Sequence, residues 1–478
     1  GAWTSVGLKA PDSLQGVPEM VYFYQPRLEE LLRGNLRCWG DRCTVAFGTK
    51  LVSFEEGEAL VAARLRRSGA EWRRLATGEV AVEEPKGSDA NPTWEVRARY
   101  LVGCDGSRSV VAQALNRGLP ERLLDLQFDE EWLVIDAMLL DETALGRELP
   151  YLCVQFCDKA RKATYMTAAW VTDRPQRGRH IRWEFQVLPD DDRESLASHG
   201  WLQEHLLCHW LAPSQYEIVR SAVYRFHSAL AQRWRSPGPG RAFLAGDAAH
   251  QNPPFRGQGL TGGFRDAVNL GWKLALALER PELHGPLLQT YQPERYPHMR
   301  QAILDTIDTG RLIQTFCDTA DGDLDTAIAA SAGRGYGLLA RPAVPPAGGL
   351  FAQGTLAGKL VGQACPQPQM RGRPLDALLG PGFGLLLSRA AGPAPDLPQP
   401  LLAPLGLLPL VISPEELEGS NPAEATLQKI LRGHRAVLVR PDRRVYGAVP
   451  LGAPPSAVAE LLQSLHGQLG IASTPARL

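Results

Sequence analysis

The chain has 478 residues, 44% hydrophobic and 22% charged, with a formal net charge of −1. A near-neutral chain has no global field to gather nucleic acid, and no run of about 18 apolar residues reads as a membrane span. At roughly 100–200 residues per domain, the length allows about two to four domains. The chain starts at Gly1 and lacks the charged-then-apolar opening of a signal peptide, so a processed chain or fragment residing in the cytoplasm is expected. The eight cysteines are scattered and form no C-x-x-C pair, so neither a metal site nor a disulfide framework is expected.

Residues 21–24 read as an extended segment running into a helix that opens at Gln25-Pro26. Proline is tolerated in a first helical turn, and Leu28, Leu31 and Leu32 follow at helical spacing. Residues 44–54, 60–65 and 94–102 read as three consecutive strands of an antiparallel meander. From about 125 to 232 the pattern is strand-rich. Residues 181–187 alternate apolar and polar, which predicts a strand with one buried face. Residues 195–211 read as a helix with Leu202, Leu206 and Leu207 on one side. Residues 241–245 form a short apolar strand, and a long helix follows over about 260–278. A linker at 342–349 precedes a Pro-, Gly- and Leu-rich portion. In it, 436–447 reads as strand–turn–strand and 457–469 as a closing helix.

The chemistry concentrates in one run, Gly246-Asp247-Ala248-Ala249-His250 through Pro253-Pro254 to Gly257-Gln258-Gly259-Leu260. A buried strand delivers Asp247 to its C-terminal end, where ligands of layered α/β proteins collect. Its carboxylate can accept hydrogen bonds from ligand hydroxyls. Gly257 and Gly259 permit φ values that other residues resist, and they open a helix whose free N–H groups favour an anion. A second strand–turn–helix start, Leu101-Val102-Gly103-Cys104-Asp105-Gly106-Ser107, repeats the arrangement. There Asp105 or Ser107 reads equally as a helix N-cap. Gln25 at a helix start can bond a phosphate or a ribose.

Asp105-Gly106 and Gly246-Asp247 resemble, in type and order, the signatures of the class A flavoprotein monooxygenases, the FAD-dependent aromatic hydroxylases. Gln25-Pro26-Arg27-Leu28-Glu29, Arg182-Trp183-Glu184-Phe185 and Arg265-Asp266-Ala267-Val268-Asn269-Leu270-Gly271-Trp272-Lys273-Leu274 resemble the 3-(3-hydroxyphenyl)propionate hydroxylase branch. The resemblance implies an α/β fold with α+β elements. A Rossmann-like FAD-binding domain (1–120, continued at 233–345) would carry an inserted β-sheet substrate domain (121–232) and a thioredoxin-like C-terminal domain (350–478). It implies FAD as cofactor, with NADPH or NADH as reductant, O₂ and a small aromatic substrate as partners, and it leaves room for a homodimer. Reduced flavin and O₂ would give a C4a-hydroperoxide that a phenolate attacks. Asp247 would bond the ribityl chain, with Gly246 and Pro253 shaping its loop. Pro254 would lie beside the isoalloxazine, Gly257 would open the cofactor-binding helix, and Gly259, Leu260 and Thr261 would face the pyrimidine edge through backbone N–H groups. Gln25, Asp105 and Gly106 would lie near the pyrophosphate. Alternation alone reads Arg182, Glu184 and Gln186 as a solvent-facing edge, whereas the resemblance would have them line the substrate cavity. His250 reads either as a proton relay or as a packed loop histidine.

The sequence departs from the family in three places. No G-x-G-x-x-G unit precedes Tyr24, so the FAD-binding domain is expected to be truncated at its N-terminus. Ala112 stands where the Asp-Gly motif usually ends in arginine, and Thr261 where asparagine is common. The readings left open are a phenol hydroxylase, an inactive or truncated flavin-fold protein, and a polyketide-tailoring FAD oxygenase.

Overall fold

A computed structural model of the chain describes residues 23–68, 71–74, 80–83, 92–120, 123–141, 143, 153–157, 160–167, 179–319, 348–354 and 358–471. Most of the expected linker lies outside them. Two compact units divide the chain: Val21–Leu260 with Ile303–Ala340, and Thr261–Ala302 with Arg341–Leu478.

In the first unit, the helix Gln25–Leu36 carries proline in its first turn and buries none of its residues. The strands Thr49–Glu56, Val61–Arg67 and Thr93–Ala98 form the expected antiparallel meander. The third strand stops short of the expected 102. Leu101–Gly103 leaves the meander and pairs in parallel with Ala242–Leu244. The sequence explains the break: Trp94 to Ala98 alternates, whereas Leu101-Val102 is continuous and suits a parallel strand covered on both faces. Its partner Ala242–Leu244 is wholly buried.

The larger sheet of this unit has six antiparallel strands, in the order His250–Gln251, Tyr216–Ala231, Leu123–Leu139, Arg179–Gln186, Ala163–Thr167, Cys153–Phe156. One face packs Leu133, Ile135, Ile181, Trp183 and Phe185 against Leu202, Leu206 and Leu207. The single helix expected over 195–211 is instead two helices, Arg193–Ala197 and His199–His205, and a 3₁₀ turn, Leu207–His209. Ser198 ends the first helix and caps the second, its hydroxyl accepting from Trp201 N–H. Serine competes with the helix for its own backbone bonds, so it breaks the run there. The strand Arg179–Gln186 is also not one-sided. Trp183 is 0% exposed and Glu184, on the opposite face, only 7%.

In the second unit, Gly384–Ser388, Pro409–Ile412, His434–Val439 and Val445–Pro450 form one sheet. Its order is second, first, third, fourth; the first two strands are parallel and the other pairs antiparallel. The segment Gln399–Leu402 and the helix Pro422–Gly433 fill the first two connections, and Ser456–Leu469 closes the chain. This is the thioredoxin-like connectivity. Alternate residues fill cores on both sides: Leu385, Leu387 and Leu438 meet Leu461 and Leu465, while Leu386, Val437 and Val439 meet Leu427 and Leu431.

Candidate active site

The parallel pairing of Leu101–Gly103 with Ala242–Leu244 carries the two motifs to the same end of one sheet, in the register Gly103 opposite Leu244. Gly103 sits under the helix Val110–Leu115, where an added Cβ would lie 2.6 Å from Val111 Cβ. That close approach is why the strand must end in glycine. The Asp105 carboxylate accepts from Ser109 Oγ at 2.5 Å and from Val110 N–H at 2.8 Å. Ser109, not Ser107, is the N-cap residue, accepting from Ala112 N–H at 2.8 Å. Asp105 therefore holds the helix start and the loop at Gly106.

Asp247 differs in its surroundings. It is exposed between buried neighbours, Ala245 and Ala248, and none of its interactions is with another described side chain. Gly106, Gly246 and Gly257 take positive φ (77°, 61° and 59°), as their loops require. Gly259 does not: it lies in the first turn of the helix Gln258–Glu279, and a Cβ there would meet nothing within 4 Å. Its value is open space, not an unusual φ. Leu260 is 43% exposed in the same turn, and Thr261 follows it.

The loop between Asp247 and this helix is pinned from beneath. Pro253 is buried and Pro254 opens a 3₁₀ turn ending at Gly257. The Phe255 ring meets Phe128 and Trp132 edge-on at 5.5 and 5.7 Å. Asn252 Nδ2 donates to Thr306 Oγ1 at 3.4 Å, and Arg256 lies 3.6 Å from Asp305. His250 is 1% exposed, its ring 5.4 Å from that of the buried Trp234. Gln25 is on the helix surface, its amide donating to Glu29 at 2.9 Å.

Trp132 belongs to a face of the six-stranded sheet that local alternation had marked only through Arg182, Glu184 and Gln186. Directly paired residues share a face. Here Gln186 and Tyr224 lie opposite Trp132, Glu184 and Ala222 opposite Val134, and Arg182 and Arg220 opposite Asp136. Asp136 was missed in the sequence; the available signal is a lone carboxylate inside Trp132-Leu133-Val134-Ile135-Asp136-Ala137. It accepts from Arg182 Nε at 2.7 Å and Nη2 at 3.1 Å, and His180 Nε2 is 2.9 Å away. The Tyr24 ring lies 4.7 Å from that of His180. Burial would raise the Asp136 pKa, but the bonds from His180 and Arg182 outweigh it and hold it at about 2. Burial pushes the Glu184 carboxyl up, against the pull of Arg182.

The strand–loop–helix at Asp247, a second carboxylate loop beside it in parallel register and a polar sheet face reaching the same loop are the parts of a flavin-binding fold. The FAD binding domain family matches residues 5–306, and the chain belongs to that family. Over 261 residues it is 37% identical to a probable NADH-specific resorcinol 4-hydroxylase of Rhodococcus jostii (strain RHA1), covering 52% of this chain and 44% of the relative. Over 308 residues it is 32% identical to a 3-(3-hydroxy-phenyl)propionate/3-hydroxycinnamic acid hydroxylase of Mycobacterium sp. (strain JLS), covering 63% of this chain and 45% of the relative. The chain thus spans less than half the length of these curated relatives. Among solved structures, the flavin-dependent monooxygenase PieE in complex with FAD and substrate matches with a TM-score of 0.65 at 21% identity, over 93% of this chain and 79% of that one. Aklavinone-11 hydroxylase in complex with FAD and aklavinone matches with a TM-score of 0.62 at 22% identity, over 94% and 78%. These likenesses are of fold.

Proposed function

We propose that this chain forms the core of an FAD-dependent, NAD(P)H-consuming monooxygenase that hydroxylates a phenolic aromatic substrate. The observation that carries this reading is the exposed Asp247 carboxylate at the end of a buried parallel strand. Among the described residues no side chain bonds to it, and it stands a short loop before the N-terminus of a 22-residue helix. These residues fit a flavin: a carboxylate for ribityl hydroxyls, a glycine turn without side-chain bulk, and N–H groups at a positive helix end for the anionic pyrimidine edge. Bound FAD would supply hydride acceptance and oxygen activation.

The residues of this chain do the rest. Asp105 fixes the neighbouring loop through Ser109 and Val110. Phe255 and Trp132 join the flavin loop to the sheet face. Arg182, Glu184 and Gln186 would border the substrate on that face, and the aromatic lining would keep water from the reacting centre.

The test is to titrate the purified protein with FAD and follow NADH and NADPH oxidation with and without phenols. Expected are flavin binding, phenol-stimulated NADH oxidation, and at least a tenfold loss of FAD affinity in Asp247→Ala, the scale of a lost charge-assisted hydrogen bond. No flavin binding, or no stimulation by resorcinol, 3-(3-hydroxyphenyl)propionate or a polycyclic phenol, would remove this reading.

A further inference from the structure

Resting on the reading above, we infer that Arg220 selects the substrate, taking an anionic substituent of the phenol. The argument starts from the charges on the polar sheet face. Asp136 and Arg182 form a two-pronged pair, and His180 completes the coordination of Asp136. Arg182 also lies 4.0 Å from Glu184. Arg220 is in the same rung, directly across Asp136 on the other side of the strand. Yet the Asp136 oxygens are taken by Arg182 and His180, and among the described residues no carboxylate pairs with Arg220.

Its guanidinium lies instead over the Tyr224 ring, 5.2 Å from the centroid. That contact fixes the direction of the side chain. Tyr224 pairs with Trp132, and Arg220 with Asp136. The side chain therefore leans along the strand, from the Asp136 rung toward the Trp132 rung. Trp132, with Phe128, meets Phe255 of the flavin loop. Four residues of strand span about 13 Å. A phenol placed by the flavin loop, carrying a short acidic side chain, would reach back toward Arg220 over that distance. The face supplies what such a ligand needs: aromatic side chains at one end, and at the other an arginine that can bind a carboxylate through two N–H groups. The Arg182–Asp136 pair, already mutually neutralised, is left to hold the strands.

This separates two chemistries represented among the relatives, a neutral dihydroxybenzene and an aryl propionate. The geometry favours the acid.

Binding is measured by fluorescence titration of the FAD-loaded protein, using 3-(3-hydroxyphenyl)propionate and its neutral amide. The wild type is expected to hold the acid at least tenfold tighter than the amide, with the difference shrinking as salt rises. Arg220→Ala should lose that preference while leaving amide affinity and the melting temperature near wild type. Arg220→Lys should recover part of it, since it restores the charge without the two-pronged geometry. Arg225→Ala, five residues along the strand on the opposite face and paired with Asp129, should keep the full preference. Equal affinity for acid and amide in the wild type, or an undiminished preference in Arg220→Ala, overturns the inference. If phenols bind and stimulate NADH oxidation irrespective of charge, the inference alone fails. If no phenol binds, it falls together with the hydroxylase reading.

Discussion

Asp136 shows how one buried carboxylate can hold a strand pair without joining the chemistry. Its side chain is 7% exposed and meets Arg182 and His180 across the sheet. Replacing it with asparagine keeps the shape but removes the charge, leaving Arg182 only the more distant Glu184, 4.0 Å away, on a largely buried face. Breaking one partner of such a pair costs about 3 kcal/mol or more, so Asp136→Asn is expected to lower urea stability by that amount. The pH dependence has a definite sign. Its pKa is depressed from 3.8 to about 2 in the folded protein, so the folded state holds fewer protons than the unfolded chain between those values. The stability it adds is present above about pH 4 and is lost as pH falls toward 2, amounting to about 2 kcal/mol. Urea midpoints at pH 5 and pH 3 should differ more in the wild type than in Asp136→Asn. An equal drop in both would assign the acid sensitivity to other groups.

Gly310 shows the same dependence between elements. It lies in the helix Tyr291–Asp318, where an added Cβ would be 2.8 Å from Phe255 Cε2. Alanine would gain up to about 1 kcal/mol of helix propensity, but overpacking an aromatic contact costs about 1–3 kcal/mol, so the clash wins. Gly310→Ala should therefore displace the Phe255 loop and weaken FAD binding more than it lowers global stability. Parallel FAD and urea titrations would separate the two; unchanged flavin affinity would free the loop from this helix. Such contacts mark the limit of sequence reading. The helix at Gln25, the meander, the helix after Gly257 and the hairpin near 436–447 were legible because capping and periodicity are local. The exit of Leu101–Gly103 from the meander, the break at Ser198, and the meeting of Asp136 with Arg182, 46 residues apart, depend on pairings that no local window contains. At the site, the Asp247 loop was legible from its turn chemistry, whereas the rest of the polar sheet face became visible only once strand register was known.

At the scale of the whole chain, the unit that contains the thioredoxin-like sheet is tied together by buried charge. Glu294, 1% exposed, lies 3.0 Å from Lys273 and 2.7 Å from Arg440, and Arg440 lies 2.6 Å from Asp442. Asn269 donates to Glu294 at 2.7 Å and to Asp442 at 3.1 Å, and it accepts from Lys273 at 3.0 Å. The Arg440 guanidinium is flanked by the rings of Trp272 and Phe351, 5.4 and 4.5 Å away. Two cations and two anions thus cancel in a buried site. The participants come from the helix Gln258–Glu279, the helix Tyr291–Asp318 and the turn after the strand His434–Val439. Burial lowers the Lys273 pKa to about 8 despite Glu294. A lowered base pKa means that stability from this group rises as pH climbs from about 8 toward its unfolded value of 10.5. The terminal sheet is therefore a structural part of its unit, not an appendage. Arg440→Met would leave Asp442 and half of the Glu294 neutralisation unmet, costing about 3–5 kcal/mol. Replacing Arg440, Glu294, Lys273 and Asp442 together by apolar residues of similar size should recover most of that loss, because no uncompensated charge then remains buried. Calorimetry of the single and quadruple variants tests this directly. A single variant as stable as wild type would mean that water reaches the cluster, and that the terminal sheet is held to its helices by apolar packing alone.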